Sequence, residues 1–365
     1  MLPSHEISLN KDAKYLGSNL IFLISMPRSG STMLQRVLVG NQAIETSAEP
    51  WLLLPLIYSR RKNGLTAEYG GDWARIATEE FLKNYTDGSQ VYDAAIRAFA
   101  KEIYENVLKR RPGRVFLDKT PRYIYIIKDL ARIFPEAKFI FLLRNPLSVL
   151  ASIINTQLDG DLWSISEFIS ELRNGPKNIL EGTDLLKERS IVIRYEEFVE
   201  KPEKYTEQLC KFLEIEFSPN MVSYQETPEA KGFMTDRVGV QQHERPVTDR
   251  IHSWEDMLND PQQVHFAEEY LKILEPSTID GLGYDYGHLF TSIQQAKRTL
   301  VGFKNIFPWR VAIQQDPEMN TRDFVQAHVY RMGLTLDPKS ARWKGIKLYF
   351  GQIAHAIRHL FGKRN

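Results

Sequence analysis

The chain has 365 residues, of which 43% are hydrophobic and 25% are charged, as is typical of a globular protein with a large core. Its formal net charge of +1 gives no general attraction to nucleic acid, so no nucleic-acid partner is expected. The single cysteine, Cys210, excludes an intramolecular disulfide and favours a reducing, cytoplasmic location, and the first residues lack the pattern of a signal peptide or membrane anchor.

Five short apolar segments predict the strands of a parallel β-sheet. They are Leu20–Met26, Ala43–Thr46, Arg114–Leu117, Lys138–Leu143 and Ser190–Arg194. Helical periodicity lies between and after them, at residues 31–40, 72–85, 91–111, 122–133, 146–155, 164–187 and 202–213. This alternation predicts an α/β fold, a parallel β-sheet of about five strands flanked by helices. Ligands of such sheets bind at the carboxyl ends of the strands.

A polar loop with one glycine follows the first strand, and a helix is predicted to open directly after it. The loop residues are Pro27, Arg28, Ser29, Gly30, Ser31 and Thr32. A strand, a tight turn and a helix N-terminus direct several backbone N–H groups at one point, which is the geometry that binds phosphate or sulfate. Arg28 adds a positive charge, and the three hydroxyl side chains add donors. The loop is therefore predicted to bind an oxyanion.

The loop differs from the nucleotide-binding loop of metal-dependent NTPases, whose pattern is G-x-x-x-x-G-K-[ST]. Ser31 follows Gly30 where that pattern has lysine. The fourth predicted strand ends in Arg144, where such enzymes carry an aspartate that holds Mg²⁺. The sequence therefore predicts a nucleotide whose reacting group needs no metal.

A second anion site is predicted at the end of the fourth strand. Arg144 leaves the strand, and Asn145-Pro146 opens a helix, since proline is favoured at the first helical position. Ser152 lies about two turns into that helix and can share a face with its start. An arginine and a hydroxyl in this arrangement can hold one phosphate between them.

Together these motifs resemble the sulfotransferases that use 3′-phosphoadenosine 5′-phosphosulfate (PAPS). The segment Pro27–Thr32 is similar to the family's 5′-phosphosulfate loop, and Arg144 with Ser152 resembles its 3′-phosphate site. Tyr195 resembles a tyrosine that contacts the nucleotide, although a role as a rim aromatic stays open. The resemblance implies a P-loop-like fold, PAPS as co-substrate, adenosine 3′,5′-bisphosphate as product and no required metal.

The resemblance also implies three catalytic residues. Glu49 is placed like the catalytic glutamate of the tyrosylprotein branch and is interpreted as the general base. The alternative is a favourable charge at the start of a helix near Trp51. Arg28 and Lys119 are interpreted as the cations that stabilise the leaving phosphate, and the alternative for Lys119 is an ion pair with Asp118 alone.

The resemblance covers residues 18–288 and predicts a domain organisation of three parts. Residues 1–17 form an N-terminal arm, residues 18–288 the sulfotransferase domain, and residues 289–365 an α-helical C-terminal extension. Within the domain, the polar segment 224–256 matches the region that covers the nucleotide, and Gly283-Tyr284-Asp285 resembles the domain end of the tyrosylprotein branch.

The last segment, residues 341–365, has apolar residues at spacings of three and four together with six Lys/Arg and no acid. This pattern predicts a basic amphipathic helix. It either packs on its own domain or on a second subunit, or it lies peripherally on a membrane.

The predicted function is transfer of a sulfuryl group from PAPS to a hydroxyl of a small-molecule, lipid or carrier-bound acceptor. The alternatives are a P-loop kinase-like or NTPase-like phosphotransferase, and an inactive nucleotide-binding module recruited to a membrane. The missing Gly-Lys step counts against the first alternative. The presence of Glu49 and Lys119 counts against the second.

Overall fold

The computed structural model describes residues 15–62, 64–65, 67–157, 165, 168–224 and 243–299. The predictions for most of the N-terminal arm, for residues 225–242 of the polar segment and for residues 300–365 lie outside these described residues. Within them, no helix is both long enough and apolar enough to cross a membrane.

A five-stranded parallel sheet forms the centre of the fold, as predicted. Its strands are β1 (Leu20–Ser25), β2 (Ile44–Thr46), β3 (Val115–Asp118), β4 (Lys138–Leu143) and β5 (Ser190–Arg194). They are ordered β2-β3-β1-β4-β5, and every neighbouring pair is parallel. All six residues of β1 are buried, because helices cover both faces of the central strand.

Helices connect the strands, and further helices come after the last strand in the chain. They are α1 (Ser31–Leu38), α2 (Leu54–Tyr58), α3 (Gly71–Tyr85), α4 (Ser89–Leu108), α5 (Ile127–Ile133), α6 (Pro146–Gln157), α7 (Ile169–Leu186), α8 (Tyr195–Glu200), α9 (Pro202–Leu213), α10 (Pro261–Leu274), α11 (Pro276–Gly281) and α12 (Tyr286–Thr299).

Two local predictions are wrong. The helix predicted at residues 122–133 is divided into a short 3-10 helix, Pro121–Tyr125, and α5, because Ile126 leaves helical geometry at φ −127°. No helix was predicted between the fifth strand and residue 202, but Tyr195 is the first residue of α8. Both segments lie close to the carboxyl end of a strand, next to the loops of that edge.

The strand order places the candidate site at the centre of one sheet edge. The chain moves from β1 outward to β2, returns through β3, and then crosses to β4 on the other side of β1. The loops after β1, β3 and β4 therefore open next to one another at the carboxyl edge. The order in which strands are added changes sides of the sheet at β1, and open α/β sheets bind ligands at such a point.

The Gly283-Tyr284 step, which lies at the predicted end of the domain, is fixed to the same edge. Glu196, in the first turn of α8, accepts hydrogen bonds from the Asn145 backbone N–H at 2.9 Å and from the Tyr284 hydroxyl at 2.9 Å. Gly283 has φ +85°, and a Cβ there would lie 2.0 Å from the Arg194 guanidinium. The Gly283-Tyr284 step thus packs against the ends of β4 and β5.

Candidate active site

The loop between β1 and α1 has the strained backbone of an anion-binding turn. Arg28 has φ 64° and Gly30 has φ 88°, both in the left-handed region. A Cβ on Gly30 would lie 2.7 Å from the Tyr195 ring, so a larger residue is excluded by contact as well as by conformation. Gly30 precedes α1 without any side-chain cap, which leaves the first N–H groups of the helix for another acceptor.

The hydroxyl groups of this loop fit an oxyanion. Ser29 is fully buried, and its Oγ has no hydrogen-bond partner among the described residues. A buried hydroxyl without a partner is costly, and an oxyanion oxygen in the loop would satisfy it. Ser31 is buried and Thr32 half-buried at the start of α1, while Pro27 is half-buried before Arg28. These residues therefore fit a bound phosphate or sulfate group.

Glu49 and Lys119 form an ion pair at the adjoining strand ends. The Lys119 Nζ donates to Glu49 Oε1 at 2.9 Å and lies 3.5 Å from Thr32 Oγ1. The Lys119 side chain is 2% exposed and that of Glu49 is 16% exposed. A buried ammonium is tolerated only when it is paired, so Glu49 is the group that permits Lys119 to lie there. Neither the helix-start interpretation of Glu49 nor the Asp118-only pairing of Lys119 describes this geometry.

Asp118, the residue before Lys119, is held by three hydroxyl groups. Tyr104, Tyr123 and Thr120 donate to its carboxylate at 2.6, 3.0 and 2.9 Å. Burial raises the pKa of Asp118 to about 6, although the three donors and Lys119 act in the opposite direction. This cluster fixes the end of β3 and with it the backbone from which Lys119 extends.

Arg144 links the Pro27–Thr32 loop to segment 243–256. Its guanidinium donates to the Arg28 carbonyl at 2.7 Å and to the Arg250 carbonyl at 2.9 Å, and it lies 4.3 Å from the Tyr195 ring centroid. Burial lowers the pKa of Arg144, and the nearby cation Arg28 acts in the same direction. A phosphate at this position would compensate a cation that is otherwise poorly solvated.

Ser152 faces Arg28 in this structure. The Arg28 Nε donates to Ser152 Oγ at 3.3 Å. This hydrogen bond joins the predicted oxyanion loop to the predicted 3′-phosphate site. The Tyr195 ring packs on both Gly30 and Arg144, and burial raises the pKa of its phenol. The predicted site residues are thus brought to one region. Arg144 and Ser152 are each joined to the loop through Arg28.

Sequence reasoning missed several residues of this region. Trp51 donates from Nε1 to Glu49 Oε2 at 3.2 Å, and Arg122 lies 5.1 Å from the centre of its ring. Tyr123 accepts a hydrogen bond from the Leu53 backbone N–H at 3.3 Å. For Arg122 and Tyr123 the sequence did carry a signal, because two aromatic residues and an arginine follow the strand end after Lys119.

Comparison with known proteins gives a consistent result. A family model described as "Sulfotransferase family" matches residues 20–219, more than half of the chain. The nodulation protein NoeE of Sinorhizobium fredii (strain NBRC 101917 / NGR234) is 31% identical over 213 residues, covering 51% of this chain and 47% of that protein. Protein-tyrosine sulfotransferase 1 of Danio rerio is 25% identical over 211 residues, covering 57% of this chain and 56% of that protein.

The solved structure entitled "Sulfotransferase Domain from the Curacin Biosynthetic Pathway" has a similar fold. Its TM-score is 0.50 at 24% sequence identity, and the alignment covers 73% of this chain and 97% of that chain. The chain spans about half the length of the two relatives named above.

Proposed function

The chain belongs to the sulfotransferase family, and we propose that it transfers a sulfuryl group from PAPS to a hydroxyl group of an acceptor. The observation that carries this proposal is the Glu49–Lys119 pair at 2.9 Å beside Thr32, at the mouth of the oxyanion loop. The pair puts a carboxylate that can accept a proton next to a cation that can stabilise a leaving phosphate. Sulfuryl transfer needs both groups at one point.

The proposed step is an in-line displacement. The acceptor oxygen forms a bond to sulfur while the bond between sulfur and the phosphate oxygen breaks, and Glu49 takes the acceptor's proton. Lys119 and Arg28 stabilise the negative charge that develops on the departing phosphate of adenosine 3′,5′-bisphosphate. Backbone N–H groups at the start of α1, with Ser29, Ser31 and Thr32, hold the sulfate and phosphate oxygens. The chain thus contributes positioning and charge stabilisation, as in phosphoryl transfer.

The 3′-phosphate is assigned to the region of Arg144 and Ser152, with Tyr195 at its side. Support comes from the half-buried Arg144 guanidinium, whose buried Nε has no hydrogen-bond partner among the described residues. Segment 243–256 belongs to the same proposal, since the Arg250 carbonyl accepts from Arg144 and Trp254 is buried. In this arrangement the segment closes over the nucleotide.

The reaction is proposed to need no metal. Arg144 stands after β4 where a Mg²⁺-binding aspartate would be required, and the carboxylate at the end of β3 is held by three hydroxyl groups. A phosphotransferase of the kinase type therefore has less support. The inactive nucleotide-binding alternative has less support because the ion pair would then have no role to offset its burial cost.

The acceptor is proposed to be a hydroxyl on a small molecule, a lipid or a carrier-bound group. One relative is described as a nodulation protein and the other as a protein-tyrosine sulfotransferase, so the two relatives themselves differ in what their names imply. A cytoplasmic location, and contact with a membrane or a second subunit through residues 341–365, remain part of this proposal.

Calorimetry tests the choice of nucleotide. Adenosine 3′,5′-bisphosphate is expected to bind about ten- to a hundredfold more tightly than AMP, because a charge-assisted contact to the 3′-phosphate contributes about 1.5–3 kcal/mol. ATP is expected to bind weakly with or without Mg²⁺. Equal affinity for AMP, or binding that requires Mg²⁺, contradicts the proposal.

Replacing the base tests the mechanism. The Glu49→Gln variant is expected to keep its affinity for PAPS and to lose turnover by about 10²–10⁴-fold with an acceptor hydroxyl of high pKa. An acidic phenol needs little help from a base and serves as the comparison acceptor. Normal turnover of the variant with both acceptors would show that Glu49 is not the base.

A further inference from the structure

We propose that Trp51 is a positioning residue that holds Glu49 in the orientation required for proton transfer. This inference rests on the proposed function, in which Glu49 is the base. The two oxygens of the carboxylate have different partners: Oε1 accepts from Lys119 at 2.9 Å and Oε2 accepts from the Trp51 indole N–H at 3.2 Å. A carboxylate bound at both oxygens cannot rotate freely, so its lone pairs keep one direction.

The backbone of Trp51 has an unusual conformation that supports this contact. Trp51 has φ 52°, which is rare for a residue with a bulky side chain and costs free energy. Pro50 precedes it and disfavours helical geometry at Glu49. The two residues together turn the indole back toward the carboxylate two positions earlier. Strain of this kind persists only where the surroundings fix the conformation.

Three contacts fix the segment 49–53 against the segment 118–123. Glu49 pairs with Lys119, the Trp51 ring lies 5.1 Å from the Arg122 guanidinium, and the Leu53 N–H donates to the Tyr123 hydroxyl at 3.3 Å. The contacts follow one another along both segments in the same order. Glu49 and Lys119 therefore lie in two loops that these three contacts hold together.

Arg122 is itself held by an ion pair with Glu171. Its Nε lies 2.8 Å from Glu171 Oε1, and the Glu171 side chain is 2% exposed in the first turn of α7. A buried carboxylate at a helix start is a favourable anchor for a guanidinium. The chain of contacts from α7 through Arg122 and Trp51 therefore ends at the oxygen of Glu49 that Lys119 does not hold.

The role of the indole N–H is tested with Trp51→Phe, which keeps a ring for Arg122 but removes the donor. Transfer from PAPS is measured with benzyl alcohol and with an acidic phenol as probe acceptors. We expect kcat with benzyl alcohol to fall about ten- to a hundredfold, with little change in the KM for PAPS and a smaller loss with the phenol. Trp73→Phe is the matched control, since Trp73 is 77% exposed on α3.

A second variant separates the donor from the ring. Trp51→His keeps an aromatic N–H and is expected to recover part of the kcat that Trp51→Phe loses. Wild-type kcat in Trp51→Phe, equal losses in both variants, or an equal loss with both acceptors would overturn the role of Trp51. A wild-type protein that neither binds adenosine 3′,5′-bisphosphate nor transfers label from PAPS to either probe acceptor contradicts instead the proposed function itself.

Discussion

At the residue scale, the surroundings of some groups in the site are specified by neighbours along the sequence, and those of others only by packing. The Pro27–Thr32 loop could be predicted because a strand, a glycine turn and a helix start follow one another directly. Asp118 could not be assigned a role, because its three hydroxyl partners include Tyr104, which lies in helix α4 and not beside Asp118 in the sequence. Its burial and its raised pKa are properties of packing that no local pattern encodes.

Asp118 is expected to make stability depend on pH. Its pKa rises from an ordinary value of 3.8 to about 6 on folding, so the folded protein binds the proton more tightly. The resulting stabilisation is complete below about pH 4 and is lost as pH rises through about 6, a change of about 3 kcal/mol. Asp118→Asn lacks this proton, so the free energy of unfolding of the wild type should fall relative to the variant over that range.

Urea unfolding at several pH values between about 4 and 7 measures this difference. Asp256→Asn, at an exposed position, is the control for the substitution itself. Curves for Asp118→Asn and the wild type that run parallel across the range would show that Asp118 does not titrate there.

Gly30→Ala is expected to remove nucleotide binding. The new Cβ would lie 2.7 Å from the Tyr195 ring, and the residue would have to keep φ near 88°. Affinity for adenosine 3′,5′-bisphosphate should fall more than tenfold, and stability by about 1–3 kcal/mol. Gly88→Ala is the control, because Gly88 has φ +81° but no atom within 4 Å of its added Cβ. Calorimetry should find normal affinity in the control, and retained affinity in Gly30→Ala would contradict this role of the loop.

At the element scale, separate strand ends and loops act as one unit through side chains that bond to backbone. Arg144 donates to carbonyls of the phosphate loop and of segment 243–256, and Glu196 joins the start of α6 to Tyr284. The sequence predicted the strands and most long helices from periodicity. It failed at the short elements after strand ends, such as Pro121–Tyr125 and α8, where contacts with other loops override local preference.

Arg144→Lys tests the link between these elements. Lysine keeps the charge but cannot reach both carbonyls with a planar group, so nucleotide affinity is expected to fall about ten- to a hundredfold. Arg189→Lys is a matched control. Arg189 donates to the carbonyls of Ala131, Phe134 and Pro135 and precedes the amino end of β5, away from the candidate site. The control should lose stability without losing affinity, and equal affinities in both variants would contradict the assignment.

At the scale of the whole molecule, strand order explains how distant residues meet. Arg28, Lys119 and Arg144 follow β1, β3 and β4, which are adjacent in the sheet although they are separated along the chain. The alternation of strands and helices predicted the parallel sheet, and the carboxyl-end rule predicted the edge at which the candidate site lies. Neither could predict that Arg28 would contact Ser152 or that the Trp51 indole would donate to Glu49, since these contacts depend on side-chain packing.

Removal of residues 341–365 is expected to leave the affinity for adenosine 3′,5′-bisphosphate unchanged. Every residue proposed to contact or cover the nucleotide lies within residues 27–256, and the deleted segment contributes none of them. Calorimetry on the full chain and the truncated chain measures this, with light scattering and vesicle co-sedimentation to assign the segment to a subunit contact or a membrane. A fall in affinity of more than tenfold would contradict the proposed domain organisation.

The most direct test of the account is transfer of labelled sulfate from PAPS to a pool of hydroxyl acceptors in the presence of a metal chelator. The account predicts labelled sulfate esters and stoichiometric adenosine 3′,5′-bisphosphate with the wild-type protein. It predicts strongly reduced labelling with Glu49→Gln at unchanged PAPS affinity. Transfer that needs a divalent metal, or labelling that Glu49→Gln leaves intact, would contradict it.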